Sequence, residues 1–588
     1  MKTKLLLFLI AVGFFYVNSS NAQNSWSDYI METRGDTVVV VPTSTTGYLN
    51  TIFHAVMGDT TSTGDRTNPN RVYETVRGGV YIYDGPAKID ATVPNLRIVA
   101  PDGTERPPLH IKTTNPEGGL SKIFYELAGD FYAENQYFCF ALTNNTLDRH
   151  AFDPKSEYQT FEFNNCVLEM TNWAIIANWS TGLSVKFTNC FIHNIGREAS
   201  LEKGVIIDGA SSLKELYLEN NTFLNFGMVV LNRAAAGTAD MYVNHNTFVN
   251  STNNPFGCYT QANQIVTNNL FVNTGLVPDY PGFYTFLEDG DQLPKGIINV
   301  DTVTTAMKDD YYQFEYPYDN ESERKILVDR NGAWWHDDFN TMFENGLVDP
   351  SPNEWNDQKI TMNSRTKDMF EDDESYPYFT QGEWFSDKPD FANLNEELIG
   401  KWVEFIVTNS DPAAINAGVP QPVWRTNDVE DLTEVDWPIL ADLSYSNSTL
   451  KSGALAGYPL GDLNWFPNEK AKWVNRNERE KLIAARDNGE IPTSVKENVL
   501  KSSNNMSIYP NPTAEKAIIS FTLDEASDVE FILYNLTGKK EQVTSLHFNA
   551  GSNNYQIDVS ELNNGIYILQ LNTESNNAGL TSKIVVNK

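Results

Sequence analysis

Three observations predict an all-β chain folded as a right-handed parallel β-helix. A short phrase recurs between Phe161 and Asn273, reading FEFNNCVLEM, VKFTNCFIHN, LYLENNTFLN, MYVNHNTFVN and IVTNNLFVN. Its asparagines Asn165, Asn189, Asn221, Asn246 and Asn269 stand 24, 32, 25 and 23 residues apart, one solenoid coil each with an insertion in one of them. Between the phrases lie WAIIAN, GVIID, MVVLN and PFGCY, second strands rich in β-branched and apolar residues, as buried parallel strands are. Repeats that cannot bury a face alone must stack on their neighbours, which puts equivalent residues above one another. An inward Asn at a tight turn then hydrogen-bonds the backbone of the next coil, and the turn selects Asn for that reason.

The first residues read as an export signal. Lys2 and Lys4 precede the apolar run Leu5 to Val17, and Ser20-Asn21-Ala22 offers small residues for cleavage before Gln23. A signal peptide over residues 1–22 is the expectation, with no cysteine at the cleavage point to carry a lipid anchor. No other stretch approaches the ~20 apolar residues that a bilayer span needs.

Residues 23–120 are assigned to an N-terminal cap and first coils. DTVVVVP (Asp36 to Pro42) is strand-like, Thr51 to Val56 reads as a short helix with one apolar side, and GGVYI and LRIVA read as strands. This order over Asp36 to Gly103 resembles the N-terminal cap of pectin esterases and pectate-lyase-like β-helices. A helix plugging the open end of a solenoid covers the core that a terminal coil would otherwise expose. The β-helix proper is placed at 121–281. From 282 to 490 the repeats fade into an acidic, aromatic stretch, read as loops and short helices wrapping the solenoid, with a surface helix at Asn475 to Asn488. A linker is placed at 491–505.

Residues 506–588 form a separate small β-domain, read as a β-sandwich. It opens on Tyr509-Pro510-Asn511-Pro512-Thr513, continues through AIISFTL, VEFILYNLTGK and NNGIYILQL, and finishes on KIVVNK. These phrases resemble the C-terminal sorting domain of the type IX secretion system of Bacteroidetes. The resemblance implies a secreted or outer-surface protein that engages the type IX machinery through this domain.

Composition narrows the partners. A formal charge of −34 argues against nucleic acid and anionic membranes, and predicts repulsion of a polyanionic substrate unless local cations compensate. Cys166 and Cys190 follow the ladder asparagines and should stack in adjacent coils, either as small buried apolar residues or, in an exported chain, as a disulfide.

The candidate site follows from the alternation of strand residues. With Phe161 and Phe163 inward, Glu162 and Asn164 face out, and stacking puts Glu162, Lys186, Tyr217 and Tyr242 in one row about 5 Å apart. Tyrosines beside a Lys and a Glu could seat a sugar ring. MYVNHNTF resembles the pectate-lyase strand carrying an Asp-His pair and a calcium ligand. Asn244 stands at the Asp position, which departs from that pattern, and His245 matches the His. Elimination on a uronic-acid glycan needs a base and a cation for the sugar carboxylate. Lys186 is the base candidate, with Arg197, Lys203 and Arg233 as neutralisers. Hydrolysis needs paired carboxylates, for which Glu162, Glu219 and Asp208 are available.

Each of these residues also fits a solvated strand face, and His193 and His245 also fit hydrogen-bonded turn positions. The acidic clusters Asp309-Asp310, Asp337-Asp338 and Glu371 to Glu374 could bind Ca²⁺ but lack EF-hand spacing. No other cofactor is indicated. Trp334, Trp335, Trp355 and Trp384 are read mainly as loop anchors. HExxH, P-loop, dinucleotide and CxxC motifs are absent. The reading is a polysaccharide-active protein, a lyase-like enzyme on a uronic-acid-containing glycan, with a non-catalytic glycan binder or adhesin as the alternative. Its site comprises Lys186, Glu162 and Glu219 as catalytic candidates and Tyr217, Tyr242, Asn244, His245 and Arg233 as substrate contacts.

Overall fold

The computed structural model describes residues 24–588 except 115–122, 145–146, 148, 197–200, 202, 233–236, 277–294, 306–307, 309–315, 345–359, 395, 410–417, 425–431, 436, 440, 493–505, 524–525, 536–538 and 574–575. The expected signal peptide, Arg197, Arg233, Asp309-Asp310 and Trp355 lie outside the described residues. The chain divides into a solenoid unit, up to Pro467 and again from Arg476 to Pro492, and a C-terminal unit from Thr493 onward with Asn468–Asn475.

The solenoid unit is a parallel β-helix with three strands per coil. Its three sheets, among the described residues, are sheet A with twelve strands, sheet B with ten and sheet C with seven. One coil shows the plan. Thr160–Asn164 lies in sheet A, Val167–Glu169 in sheet B and Ala174–Asn178 in sheet C, and the chain then re-enters sheet A at Leu183–Thr188. The sequence phrase is thus the sheet A strand, a turn and the sheet B strand together. Stacking continues beyond the stretch where the repeat is legible: Lys325–Asp329 and Phe379–Gln381 extend sheet A, and Asn331–Trp334 and Trp384–Phe385 extend sheet B. At the N-terminal end the helix Thr51–Met57 buries Ile52, Ala55 and Val56.

Inside the coils, phenylalanines stack at the coil spacing. Phe163 and Phe187 lie 4.9 Å apart between centroids, Phe223 and Phe248 4.9 Å, and Phe248 and Phe271 4.8 Å, each pair nearly parallel. Each contributes about 1.5–3 kcal/mol by burial.

The turn from sheet A to sheet B corrects the expected asparagine ladder, because two columns were read as one. Asn165, Asn189, Asn220, His245 and Asn268 occupy the left-handed turn position, with φ between 51° and 59°. The residue after each points inward. In that inner column Asn221 donates to Asn246, Asn246 to Asn269 and Asn269 to Asn331, at 2.9, 3.0 and 3.0 Å. Cys190 and Cys166 continue the same column, their thiols on the Phe163 and Ala133 carbonyls at 3.4 and 3.5 Å. Both are free and buried, so the disulfide alternative is not realised.

A second amide ladder, missed in the sequence, runs along the turn from sheet B to sheet C. Asn225 donates to Asn194, Asn250 to Asn225 and Asn273 to Asn250, at 3.3, 3.1 and 3.0 Å.

The C-terminal unit is a sandwich of a three-stranded and a four-stranded antiparallel sheet around Ile519, Phe521, Phe531, Leu569 and Ile584. Asn511 of the opening motif clamps the last strand: its Nδ2 donates to Lys583 O at 2.6 Å, and Val585 N donates to its Oδ1 at 2.8 Å.

Candidate functional site

The outward face of sheet A carries three rows set by parallel register. The middle row runs Arg97, Tyr132, Glu162, Lys186, Tyr217, Tyr242, Ile265 and Leu327. A flanking row runs Glu134, Asn164, Thr188, Glu219, Asn244, Thr267 and Asp329. Strands in a ladder lie about 4.8 Å apart, so both rows are lattices of side chains at that spacing. Glu162, Lys186, Tyr217 and Tyr242 therefore share one row.

They do not share one environment. The helix Asn475–Asn488 lies on the second half of the row, with Glu478, Leu482 and Ala485 on its buried side, the spacing of one helical face. Leu482 and Ala485 pack with Tyr217, Tyr242, Ile265 and Leu327. The two tyrosines stack on each other at 4.9 Å and are only 7% exposed each. The expected tyrosine platform is thus the floor beneath a helix rather than an open surface. Burial, with Glu219 next in importance, raises both phenols above their ordinary range.

Beneath this helix the flanking row becomes a buried polar cluster. Glu219 is fully buried and accepts from Tyr217 Oη at 2.8 Å, Tyr242 Oη at 3.3 Å and Asn244 Nδ2 at 3.4 Å. Glu478 accepts from Asn244 Nδ2 at 2.9 Å and lies 3.1 Å from His245 Nε2. Glu219, Asn244 and His245 are thereby brought together, but as the seat of the helix. A recess of about 350 Å³ remains at its edge, lined by Glu215, Asp240, Tyr242, Arg479 and Arg486 among others.

The first half of the row is open. Arg97 lies 4.6 Å from the centre of the Tyr132 ring, and both are half-buried, as are Glu162, Asn164, Lys186 and Thr188. Tyr132 Oη donates to Glu134 Oε2 at 3.0 Å and Asn164 Nδ2 donates to Glu134 Oε1 at 2.8 Å, which fixes the tyrosine ring. Partial burial, reinforced by Glu134, pushes that phenol up to about 12. Lys186 Nζ pairs with Glu215 Oε2 at 2.7 Å.

Two aromatic residues at the neighbouring corner, where sheet C returns to sheet A, escaped the sequence reading. Tyr158 and Trp179 occupy this corner in successive coils, 52% and 53% exposed. Tyr158 packs against Gly182 of the next coil, where a Cβ would come 2.5 Å from the ring. Exposed aromatics in adjacent coils, beside Thr160 and Ser184, enlarge the open surface. The sequence signal was available: each follows a sheet C strand and interrupts a polar turn.

The remaining candidates lie elsewhere. Asp208 is buried on sheet C, where it accepts from Trp173 Nε1 at 2.5 Å, and Lys203 and Arg149 approach the Trp173 ring at 5.8 and 5.4 Å. His193 is on sheet B, 3.6 Å from the buried Glu169. Trp335 anchors its segment through Nε1 to Thr274 O at 2.9 Å. Among the described residues no group of three or more His, Cys, Asp or Glu side chains is arranged to hold a metal ion, and no helix is long and apolar enough to cross a membrane.

Residues 507–587 match the family model described as "Secretion system C-terminal sorting domain". No curated protein and no solved structure matches the chain. The sorting domain makes this a secreted or outer-surface protein that engages the type IX secretion machinery.

Proposed function

We propose that the solenoid unit is a glycan-binding module, with its ligand on the open half of the sheet A face. The observation that carries this reading is the in-register row Arg97, Tyr132, Glu162 and Lys186, half-buried beside two exposed corner aromatics. Aromatic faces held between charged and amide groups suit sugar rings, which offer C–H surface on one side and hydroxyls at the rim. The Tyr132 ring is held by Glu134, so little freedom is lost when a ring packs on it.

Binding is favoured over elimination on a uronic-acid glycan by two placements. Lys186, the base candidate, is held in an ion pair by Glu215, and Glu219 is sealed beneath the helix. The test is retention of the secreted protein on a panel of immobilised neutral and acidic polysaccharides, with ultraviolet absorbance of unsaturated product followed in parallel. Retention without new absorbance, lost in Tyr132→Ala, is the expected result. Product formation lost in Lys186→Ala would replace binding with lyase chemistry.

A further inference from the structure

A second recess lies at the opposite edge of the sheet A face, where sheet A turns into sheet B. It encloses about 250 Å³. Its walls come from three parts of the solenoid unit: Arg77 of the first coils, the turn residues Asn165 and Asn189 of two successive coils, and Trp437 and Trp465 of the later segment that covers this corner.

The two indoles are fixed. Trp437 Nε1 donates to Thr104 O and Trp465 Nε1 to Thr222 Oγ1, each at 2.8 Å. Trp465 also meets Phe191 edge-on, with centroids 6.1 Å apart at 78°. With both N–H groups bonded to protein, the rings offer the recess carbon surface, and both remain half-buried rather than closed over.

The polar groups are held in the same way. Arg77 gives Nε to Pro101 O and Nη1 to Glu105 O, both at 2.6 Å, which leaves its Nη2 edge for a ligand. Gly103 makes room for this guanidinium, since a Cβ there would come 3.0 Å from Arg77 Cδ. Asn165 is exposed and donates Nδ2 to Asn135 Oδ1 at 2.5 Å, while no described residue donates to its own Oδ1. Asp462, 3% exposed, accepts from Thr222 Oγ1, Asn464 N and Asn464 Nδ2 at 2.7, 2.8 and 2.7 Å.

One guanidinium and one satisfied carboxylate leave the recess close to neutral. The chain around it carries a formal charge of −34, a field that disfavours an anionic ligand. Carbon walls with amide and guanidinium edges between them suit a ring with an apolar face and hydroxyls at its rim. The volume selects a single ring, because pockets for drug-sized ligands begin at about 300 Å³.

We infer that this recess binds one uncharged, hydroxyl-rich pyranose ring. The ligand class rests on the glycan-binding reading above; the position of the site does not.

Saturation-transfer NMR on the full chain tests it, with methyl hexopyranosides as probes and methyl uronosides as their charged counterparts. The expected result is transfer to a neutral pyranoside, concentrated on the C–H protons of one ring face. Trp437→Ala should weaken it at least tenfold and Arg77→Gln severalfold, while Lys451→Ala, an exposed substitution elsewhere, leaves it unchanged. Thermal unfolding checks that each variant is folded. If Trp437→Ala is not, the exposed Asn165→Ala serves in its place, with severalfold weakening expected. Absence of transfer from every neutral pyranoside overturns the inference, as does transfer that survives Trp437→Ala and Arg77→Gln, or stronger transfer from the uronosides. Polysaccharide retention without pyranoside binding removes this site and leaves the sheet A reading. Pyranoside binding without polysaccharide retention does the reverse.

Discussion

Arg479 holds its guanidinium 4.8 Å from the centre of the Tyr217 ring and 5.5 Å from that of Tyr242. Together with Glu478 it docks the helix Asn475–Asn488 on sheet A, and the helix ends the open part of the face. This relationship separates residues that stabilise the solenoid from residues available to a ligand.

The Glu478 seat should be costly to remove. Glu478→Ala withdraws the acceptor used by Asn244, and leaves His245 and Asn244 buried without it. The expected loss is about 2–4 kcal/mol, read as a lower denaturation midpoint of the solenoid unit. Arg479→Ala, which loses only ring contacts, should cost about 1 kcal/mol. Equal effects would contradict the buried-seat description.

The inner amide column should outweigh the outer one. Asn246 Nδ2 donates to Leu218 O, Asn244 O and Asn269 Oδ1, and its Oδ1 accepts from Asn221 N and Nδ2. Asn246→Ala leaves several of these groups buried and unpaired, at roughly 3–5 kcal/mol. Asn165→Ala, at an exposed left-handed position, should cost about 1–2 kcal/mol through backbone preference. Chemical denaturation of both variants distinguishes them.

These two columns show what was legible and what was not. The coil, its period and the cap helix followed from alternation and spacing, and the C-terminal unit from its motif phrases, because each is a local property of the chain. Asn220-Asn221 and Asn268-Asn269 present two adjacent asparagines, and only the turn geometry says which points inward. The middle row was legible for the same reason. Its covering was not: Asn244 meets Glu478, which lies 234 residues away in sequence. A row of outward tyrosines looks the same in sequence whether water or a helix lies above it. Trp179 and Tyr158 stand at corners outside the strand alternation, so the period that reveals the rows does not reveal them.

Acid should weaken the solenoid through His110. This residue is fully buried among Tyr83, Gln136 and Phe138. Burial, partly opposed by the hydrogen bond to Gln136 and aided by Arg106, lowers its imidazole to about 4 from its ordinary value of 6.5. The native state refuses a proton that the unfolded chain accepts, so this contribution is complete above about pH 6.5 and is lost as pH falls toward 4. The loss should reach roughly 3 kcal/mol. His110→Gln should flatten that part of the stability profile, and an unchanged slope would contradict the assignment.

The cysteines should be silent until the protein unfolds. All four are free and buried, and burial raises the Cys166 thiol well above its ordinary range. A thiol reagent should label none of them in the native protein and all four after denaturation without reductant. Recovery of only two thiols would indicate a bridge in the secreted protein.

The most direct test of glycan binding on the open half compares two tyrosines of one row. The affinity of the best-retained glycan should fall about tenfold in Tyr132→Ala, which stays folded but loses about 1–2 kcal/mol with its Glu134 bond and Arg97 contact. Tyr242→Phe should also lower stability, through its lost bond to Glu219, but leave that affinity intact. Weaker binding in Tyr242→Phe with Tyr132→Ala unaffected would contradict the account, and would move the ligand to the part of the sheet that the helix covers.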